Sequence, residues 1–321
     1  MDRSASPLRG ALYALIAFGI FSTHDVVVKT LGSEYAPFQI VFFSVLFGFP
    51  LISIMLMRDR TDGNLLPRHP GWTALRTAAS VITGISAFYA FSTLPLAQTY
   101  AILFAAPLLI TVLSIPVLGE RVGPRRWGAV VVGLAGVMIV LRPGQTDLGL
   151  GHLAALTAAL GSATASVIVR KIGHEERSVV LLLYPMMANF VLMGVALPFV
   201  YRPMPVAHLG GLALMAVLGF VAMLLVILAY RAAEAAVVAP MQYSQILWAT
   251  AYGVLFFDET PDFATFLGAS VIIASGIYIL FREGRASANR PVSLTRGRPD
   301  TGTTPRASIV EGMRTHEDEA P

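Results

Sequence analysis

Apolar residues in this chain gather into long runs of about twenty, each bounded by Pro, Gly or a cluster of charge. A helix of that length spans a hydrocarbon layer about 30 Å thick. The runs predict ten helices, at roughly 9–30, 36–57, 72–93, 97–118, 126–141, 149–170, 178–200, 209–230, 236–257 and 263–282. Each run is about twice the length of a barrel strand and lacks its polar-apolar alternation, so the expected fold is all-α and polytopic. The opening MDRSASPLRG superficially resembles a secretory signal. Its apolar stretch continues into Thr23, His24 and Asp25 past any small-residue cleavage site, and it reads as a retained first span.

Composition supports a membrane protein. Of 321 residues, 55% are apolar and 13% charged, with mean hydropathy +0.69, whereas a soluble domain carries about a quarter charged residues. That argues against a soluble enzyme, and the absence of Cys argues against a disulfide scaffold. The isoelectric point near 9.5 fits a nucleic-acid binder only superficially, because the basic residues lie between apolar runs and form no basic face. Their distribution instead sets orientation. Ten spans place both termini on one side. That side receives Arg3 and Arg9; Arg58, Arg60, Arg68 and Arg76; Arg121, Arg125 and Arg126; Arg170, Lys171 and Arg177; Arg231; and the seven arginines of the tail. Only Lys29, Arg142 and Arg202 fall on the other. The expectation is a multi-pass protein of the bacterial inner membrane with cytoplasmic N- and C-termini. Residues 1–8 form a short cytoplasmic segment, and 285–321, rich in Pro, Thr, Arg and Glu, read as a disordered tail.

The halves repeat. Residues 127–144, WGAVVVGLAGVMIVLRPG, align with 267–284, LGASVIIASGIYILFREG, so that Gly128, Ala129, Val131, Gly136, Ile139, Arg142 and Gly144 meet identical residues. With a shift of 141, Gly10, Ala14, Ala17, Val26, Val28 and Gly32 of the first span meet the same residue types in the sixth. Each repeat, 9–144 and 145–284, holds five spans, and an odd number forces the second to enter the membrane in the opposite sense. Inverted repeats allow two equivalent halves to exchange conformations around a central site.

The run from Leu94 to Gly144, LPLAQTYAILFAAPLLITVLSIPVLGERVGPRRWGAVVVGLAGVMIVLRPG, resembles the end of an EamA domain of the drug/metabolite transporter superfamily. The features that carry the resemblance are Pro107 within the fourth span, the turn Gly119-Glu120-Arg121 and a Gly-rich fifth span ending in RPG. The second half carries a weaker copy, with Asp258, Glu259 and Thr260 in place of GER. The resemblance covers both repeats. It implies a secondary transporter that moves a small organic solute by alternating access, with spans four and nine bordering the central cavity. It permits riboflavin uptake, amino-acid efflux or S-adenosylmethionine uptake.

Polar residues within the spans are the candidate substrate contacts, because burying them in lipid is costly. In span one His24 and Asp25 invite a substrate or proton site. Alternatively Lys29, four residues on, pairs with Asp25 and snorkels while His24 bonds a neighbouring helix. In span nine Gln242, Gln245 and Trp248 recur every three residues, and Pro240 interrupts the helix as Pro107 does in span four. Two amides and an indole suit a flat, neutral, polar ligand; helix glue is the alternative. Tyr89, Gln98 and Tyr100 complete the substrate-binding set, with Tyr230 and Tyr252 as interface anchors. Glu120 reads as a clamp with Arg121 and Arg126, and Arg231 with Glu234 as a turn pair.

The six His are scattered, with no HExxH and no paired carboxylates within a span, and there is no Walker motif. No catalytic residue, metal or cofactor is therefore expected. The expected partners are a small-molecule substrate and the lipid bilayer, not nucleic acid. A membrane-embedded enzyme and a non-transporting scaffold are the alternatives from other classes. Substrate identity, direction, proton coupling and the choice between monomer and homodimer stay open.

Overall fold

A computed structural model describes residues 7–57, 65–120, 122–144, 148–173, 175–176, 178–233 and 235–288. The chain divides into a helical body, Met1–Arg282, and a second unit, Glu283–Pro321. The tail from residue 289 onward, Arg121 and Glu234 lie outside the described residues, so the readings placed on them have no structural counterpart.

The described residues form helices and contain no strand. They are α1 (Pro7–Gly32), α2 (Pro37–Met57), α3 (Pro70–Thr93), α4 (Leu96–Leu103), α5 (Ala106–Leu118), α6 (Pro124–Leu141), α7 (Leu150–Ile172), α8 (Ser178–Val200), α9 (Val206–Ala232), α10 (Ala235–Val238), α11 (Gln245–Phe257) and α12 (Phe263–Ala288). A 3-10 turn, Ala239–Ser244, joins α10 to α11. Span four is α4 plus α5, and span nine is α10, the turn and α11. By length and composition, seven segments among the described residues are apolar enough to cross a membrane, and Pro37–Leu51 and Phe263–Ile279 are shorter apolar helices. The outside is correspondingly apolar: Leu255 is 71% exposed and Phe199 87%.

Both broken spans break at proline. Pro107 opens α5 and Pro240 lies in the 3-10 turn before α11, because a prolyl nitrogen donates no helical hydrogen bond and its ring crowds the carbonyl one turn back. Beyond the breaks, α5 and α11 are each 13 residues long and end at a left-handed cap, Gly119 (φ 69°) and Asp258 (φ 53°). The next residues, Glu120 and Glu259, turn their N–H groups back to Ser114 O (3.4 Å) and Gly253 O (3.0 Å). These positions correspond one to one when 139 is added to the first set.

Packing follows the repeat. Helix α1 packs on α9 and α7 on α3, pairs that interconvert when the halves are exchanged; α2 packs on α8 and α4 on α11 across the repeat boundary. Matching glycines allow close approach at equivalent crossings. A Cβ on Gly10 would lie 2.3 Å from that of Ala233 in the chain following α9, and one on Gly151 would lie 2.5 Å from Thr93 Oγ1 of α3. Helices α6 and α12 cross where a Cβ on Gly268 would lie 2.6 Å from the Gly136 carbonyl.

The ends of α1, α3, α6 and α11 meet on what is here termed the far face. The ends of α5 and α7 meet the start of α3 on the near face.

Candidate functional site

Helix α1 brings four polar residues in succession, Ser22, Thr23, His24 and Asp25, to the seam between the broken spans. Thr23 Oγ1 donates to its own helix at Gly19 O (3.0 Å) and shares a hydrogen bond with the Tyr252 hydroxyl of α11 (3.0 Å). His24 Nδ1 lies 2.8 Å from Asp25 Oδ1. The Tyr100 hydroxyl of α4 donates to Asp25 Oδ2 and in turn accepts a hydrogen bond from Gln245 Nε2 of α11 (3.2 Å). A continuous chain His24–Asp25–Tyr100–Gln245 therefore ties α1 to both broken spans.

Aromatic rings enclose this chain. Phe91 and Phe104 lie 5.2 and 5.9 Å from the Tyr100 ring, and Tyr243 lies 5.0 Å from Phe104. Phe88 of α3 meets His24 edge-on at 6.3 Å. Trp248 stacks on Tyr252 at 6.1 Å and packs against Gly19. The seam thus presents a carboxylate, an amide and phenol groups between flat apolar rings.

The Asp25–Lys29 pairing that their spacing allows is not the one formed. Lys29 Nζ reaches instead to Glu259 Oε1 (2.7 Å) and donates to Leu94 O (2.5 Å), while Glu259 Oε2 accepts the Leu96 N–H (2.9 Å). The physical reason is satisfaction of the broken backbone between α3 and α4: one ion pair fills an orphaned carbonyl and an orphaned amide at once. Asp25 is left with a hydroxyl and an imidazole. The side chains of Lys29 and Glu259 are 11% and 19% exposed.

Beside Glu259 a cavity of about 290 Å³ opens on the far face, with Gln98, His152, Thr250 and Thr265 in its wall. Gln98 Nε2 and His152 Nε2 are 3.2 Å apart across it. Asp262 caps α12 by accepting the Thr265 N–H (2.8 Å) and pairs with Arg142. Burial works against ionisation of Asp262, yet the Thr265 hydrogen bonds and the Arg142 charge outweigh it and hold its carboxyl below the ordinary carboxylate range.

On the near face Glu120 pairs with Arg170 (2.7 Å), a partner on the opposite repeat. Lys171 donates to Val117 O (2.6 Å) and sits 4.5 Å over the Trp72 ring.

Of the eight substrate-binding positions read from sequence, the structure brings His24, Asp25, Tyr100 and Gln245 into one hydrogen-bonded chain. Trp248 lies on the adjoining α1–α11 seam. Gln98 faces the cavity. Gln242 is half-buried on the 3-10 turn, where its carbonyl accepts the Gln245 N–H, and Tyr89 is half-buried on α3. Ser166, the counterpart of Asp25, donates to its own helix at Ser162 O (2.8 Å). Sequence reasoning passed over Glu259 as a partner for Lys29. The signal was present in its alignment with Glu120.

The chain matches the EamA-like transporter family twice, over residues 8–142 and 149–282. It belongs to that family. Among related proteins, the "Riboflavin transporter" of Rhizobium johnstonii is 30% identical over 285 residues, 86% of this chain and 92% of that protein. The "S-adenosylmethionine uptake transporter" of Rickettsia prowazekii is 26% identical over 303 residues, 90% of this chain and 98% of that one. A solved structure superposes with a TM-score of 0.57 at 18% identity, covering 88% of this chain and 99% of the other, and supports the fold alone. This EamA protein is accordingly a polytopic membrane transporter built from two inverted five-span repeats.

Proposed function

We propose that this EamA transporter carries riboflavin or a similarly flat, polar aromatic metabolite across the bacterial inner membrane, with both termini cytoplasmic. The observation that carries the reading is the chain His24–Asp25–Tyr100–Gln245, placed between aromatic rings where both broken spans meet α1. When the seam opens, the Gln245 amide and Tyr100 hydroxyl are freed to bond the heteroatoms of a planar ring, and Trp248 and Tyr252 offer faces for stacking. Gln98 receives the solute first in the far cavity, and Gln242 and Tyr89 lie along the path. The name of the Rhizobium relative supports the flavin class. The 20-to-3 division of basic residues supports the orientation.

A second reading has its own observation. Asp25 is not neutralised by Lys29, so its carboxylate is available to a cationic group such as a sulfonium. Uptake of labelled riboflavin and S-adenosylmethionine into proteoliposomes containing only this protein decides between the two. Saturable riboflavin flux that survives Asp25→Asn supports the first. Sulfonium flux abolished by Asp25→Asn, with no riboflavin flux, supports the second. Absence of flux for either overturns both.

A further inference from the structure

The two acidic residues that follow the caps of α5 and α11 do the same thing on opposite faces. Glu120, in the first repeat, pairs with Arg170 of the second; Glu259, in the second, pairs with Lys29 of the first. Lys29 and Arg170 are themselves equivalent under the shift of 141 that aligns spans one and six. Exchanging the repeats therefore converts one ion pair into the other. Each joins a broken span to the first helix of the opposite repeat, at the end of the bundle where the halves must part for that face to open.

The far pair stands between a solvent-reachable space and the polar seam. Glu259 forms wall of the far cavity, with Ala97 of α4 and Ala249 and Gly253 of α11 beside it. Tyr100 lies one helical turn from Ala97 and Gln245 one turn from Ala249, while Asp25 lies one turn of α1 from Lys29. A solute in the cavity meets Glu259 before it meets Tyr100 or Asp25. We infer that Lys29–Glu259 and Glu120–Arg170 are the two latches of the transport cycle, the first closing the far face and the second the near face, and that they release in alternation.

Both latches are engaged here, which is the occluded arrangement. They are not equal. Lys29 and Glu259 are mostly buried and each holds a further backbone group, whereas Arg170 and Glu120 are 43% and 32% exposed. Breaking a buried pair costs far more than breaking a solvated one. The near face is the one that opens more readily from this state, and loss of the far latch is the larger perturbation. The inference rests on transport by alternating access and not on the identity of the solute.

The chain contains no Cys, so single cysteines report directly. Thr250, in the cavity wall, and its repeat counterpart Thr111 on α5 are matched probes. Thr250→Cys and Thr111→Cys are combined in turn with Glu259→Gln and Glu120→Gln, and membrane-impermeant maleimide labelling is followed from each face of oriented vesicles. Glu259→Gln is expected to speed labelling at position 250 by about five-fold or more and to slow it at 111. Glu120→Gln is expected to do the reverse, with the smaller amplitude. Because Glu259→Gln leaves Lys29 as an unpaired buried charge, Lys29→Gln with Glu259→Gln is run alongside; this pair carries no charge, keeps a donor type facing Leu94 O and an acceptor type facing the Leu96 N–H, and should also speed labelling at 250. Changes of the same sign at both probes, no change at either, or a parent labelling rate at 250 in the doubly neutral variant at normal membrane abundance would each overturn the inference. None of these outcomes depends on a substrate, so the flux assays can fail while the latches stand.

Discussion

The Tyr100 hydroxyl is the one atom that touches both Asp25 and Gln245, and Tyr100→Phe removes it without disturbing the ring's contacts with Phe91 and Phe104. A hydrogen bond to a charged group contributes about 1.5–3 kcal/mol and one between neutral groups about 0.5–1.5 kcal/mol. Loss of both should lower stability by about 2–4 kcal/mol. Gln245→Leu alone removes only the weaker bond and should lower stability by about 1 kcal/mol. Because the two substitutions delete a shared interaction, they should not add: in Tyr100→Phe/Gln245→Leu the coupling should be at least about 0.5 kcal/mol. The measurement is thermal unfolding in detergent of the parent, both single variants and the double. Solute affinity of the same four proteins in proteoliposomes provides a second cycle. Additivity within about 0.3 kcal/mol in both cycles would show that the amide and the phenol do not act together, and the central site would have to be sought elsewhere.

Three further outcomes follow from single contacts. At the α6–α12 crossing, Gly268→Ala places a Cβ against the Gly136 carbonyl and should destabilise by about 1–3 kcal/mol, whereas Gly128→Ala, with open space around its α-carbon, should be within about 0.5 kcal/mol of the parent; thermal unfolding of both checks this. Asp262→Ala should cost about 1 kcal/mol through loss of the α12 cap. Since the folded carboxyl is held below the ordinary carboxylate range, that contribution is complete above that range and disappears as pH falls through the lowered value, so parent and variant should converge in stability only in strong acid. A reporter fused after Glu120 should be cytoplasmic and one after Arg202 external, read by paired phosphatase and fluorescent fusions; the opposite result would reject the assigned orientation.

The helices and the two-fold organisation were legible because lipid imposes a simple code. Every backbone group must be satisfied within a segment, so spans show as apolar runs whose ends are marked by charge, and the two interruptions show as Pro107 and Pro240. Gly10 and Gly151 were legible as matching positions, though only the structure shows that they serve equivalent crossings, α1 on α9 and α7 on α3. The polar seam was partly legible: His24, Asp25, Tyr100 and Gln245 stand out as costly residues in apolar runs. Their pairing was not. Helical spacing draws Asp25 to Lys29 on one helix, and it cannot register that the α3–α4 junction offers Lys29 a carbonyl and the opposite repeat a carboxylate. Likewise Gln98 and Tyr100 are neighbours in sequence, yet one enters the cavity and the other the seam.

The same limitation explains why charge was harder to interpret than shape. Glu259 lies 230 positions from Lys29, and Glu120 lies 50 positions from Arg170 across the repeat boundary. No local window contains either pair. Alignment of the repeats does contain both, because a base stands at 29 and 170 and an acid at 120 and 259. Asp25 obeys the opposite rule: its counterpart is Ser166, which satisfies its own helix and carries no charge. On the proposed function and the latch inference, the charges that keep the symmetry lie where the two halves trade roles, and Asp25, which breaks it, lies where a solute with no two-fold symmetry of its own is recognised. On that division, Asp25→Asn should change which solute is carried while leaving the labelling response to Glu259→Gln intact. If Asp25→Asn instead abolished that response, the seam and the latches would be one device, and the separation argued from symmetry would be wrong.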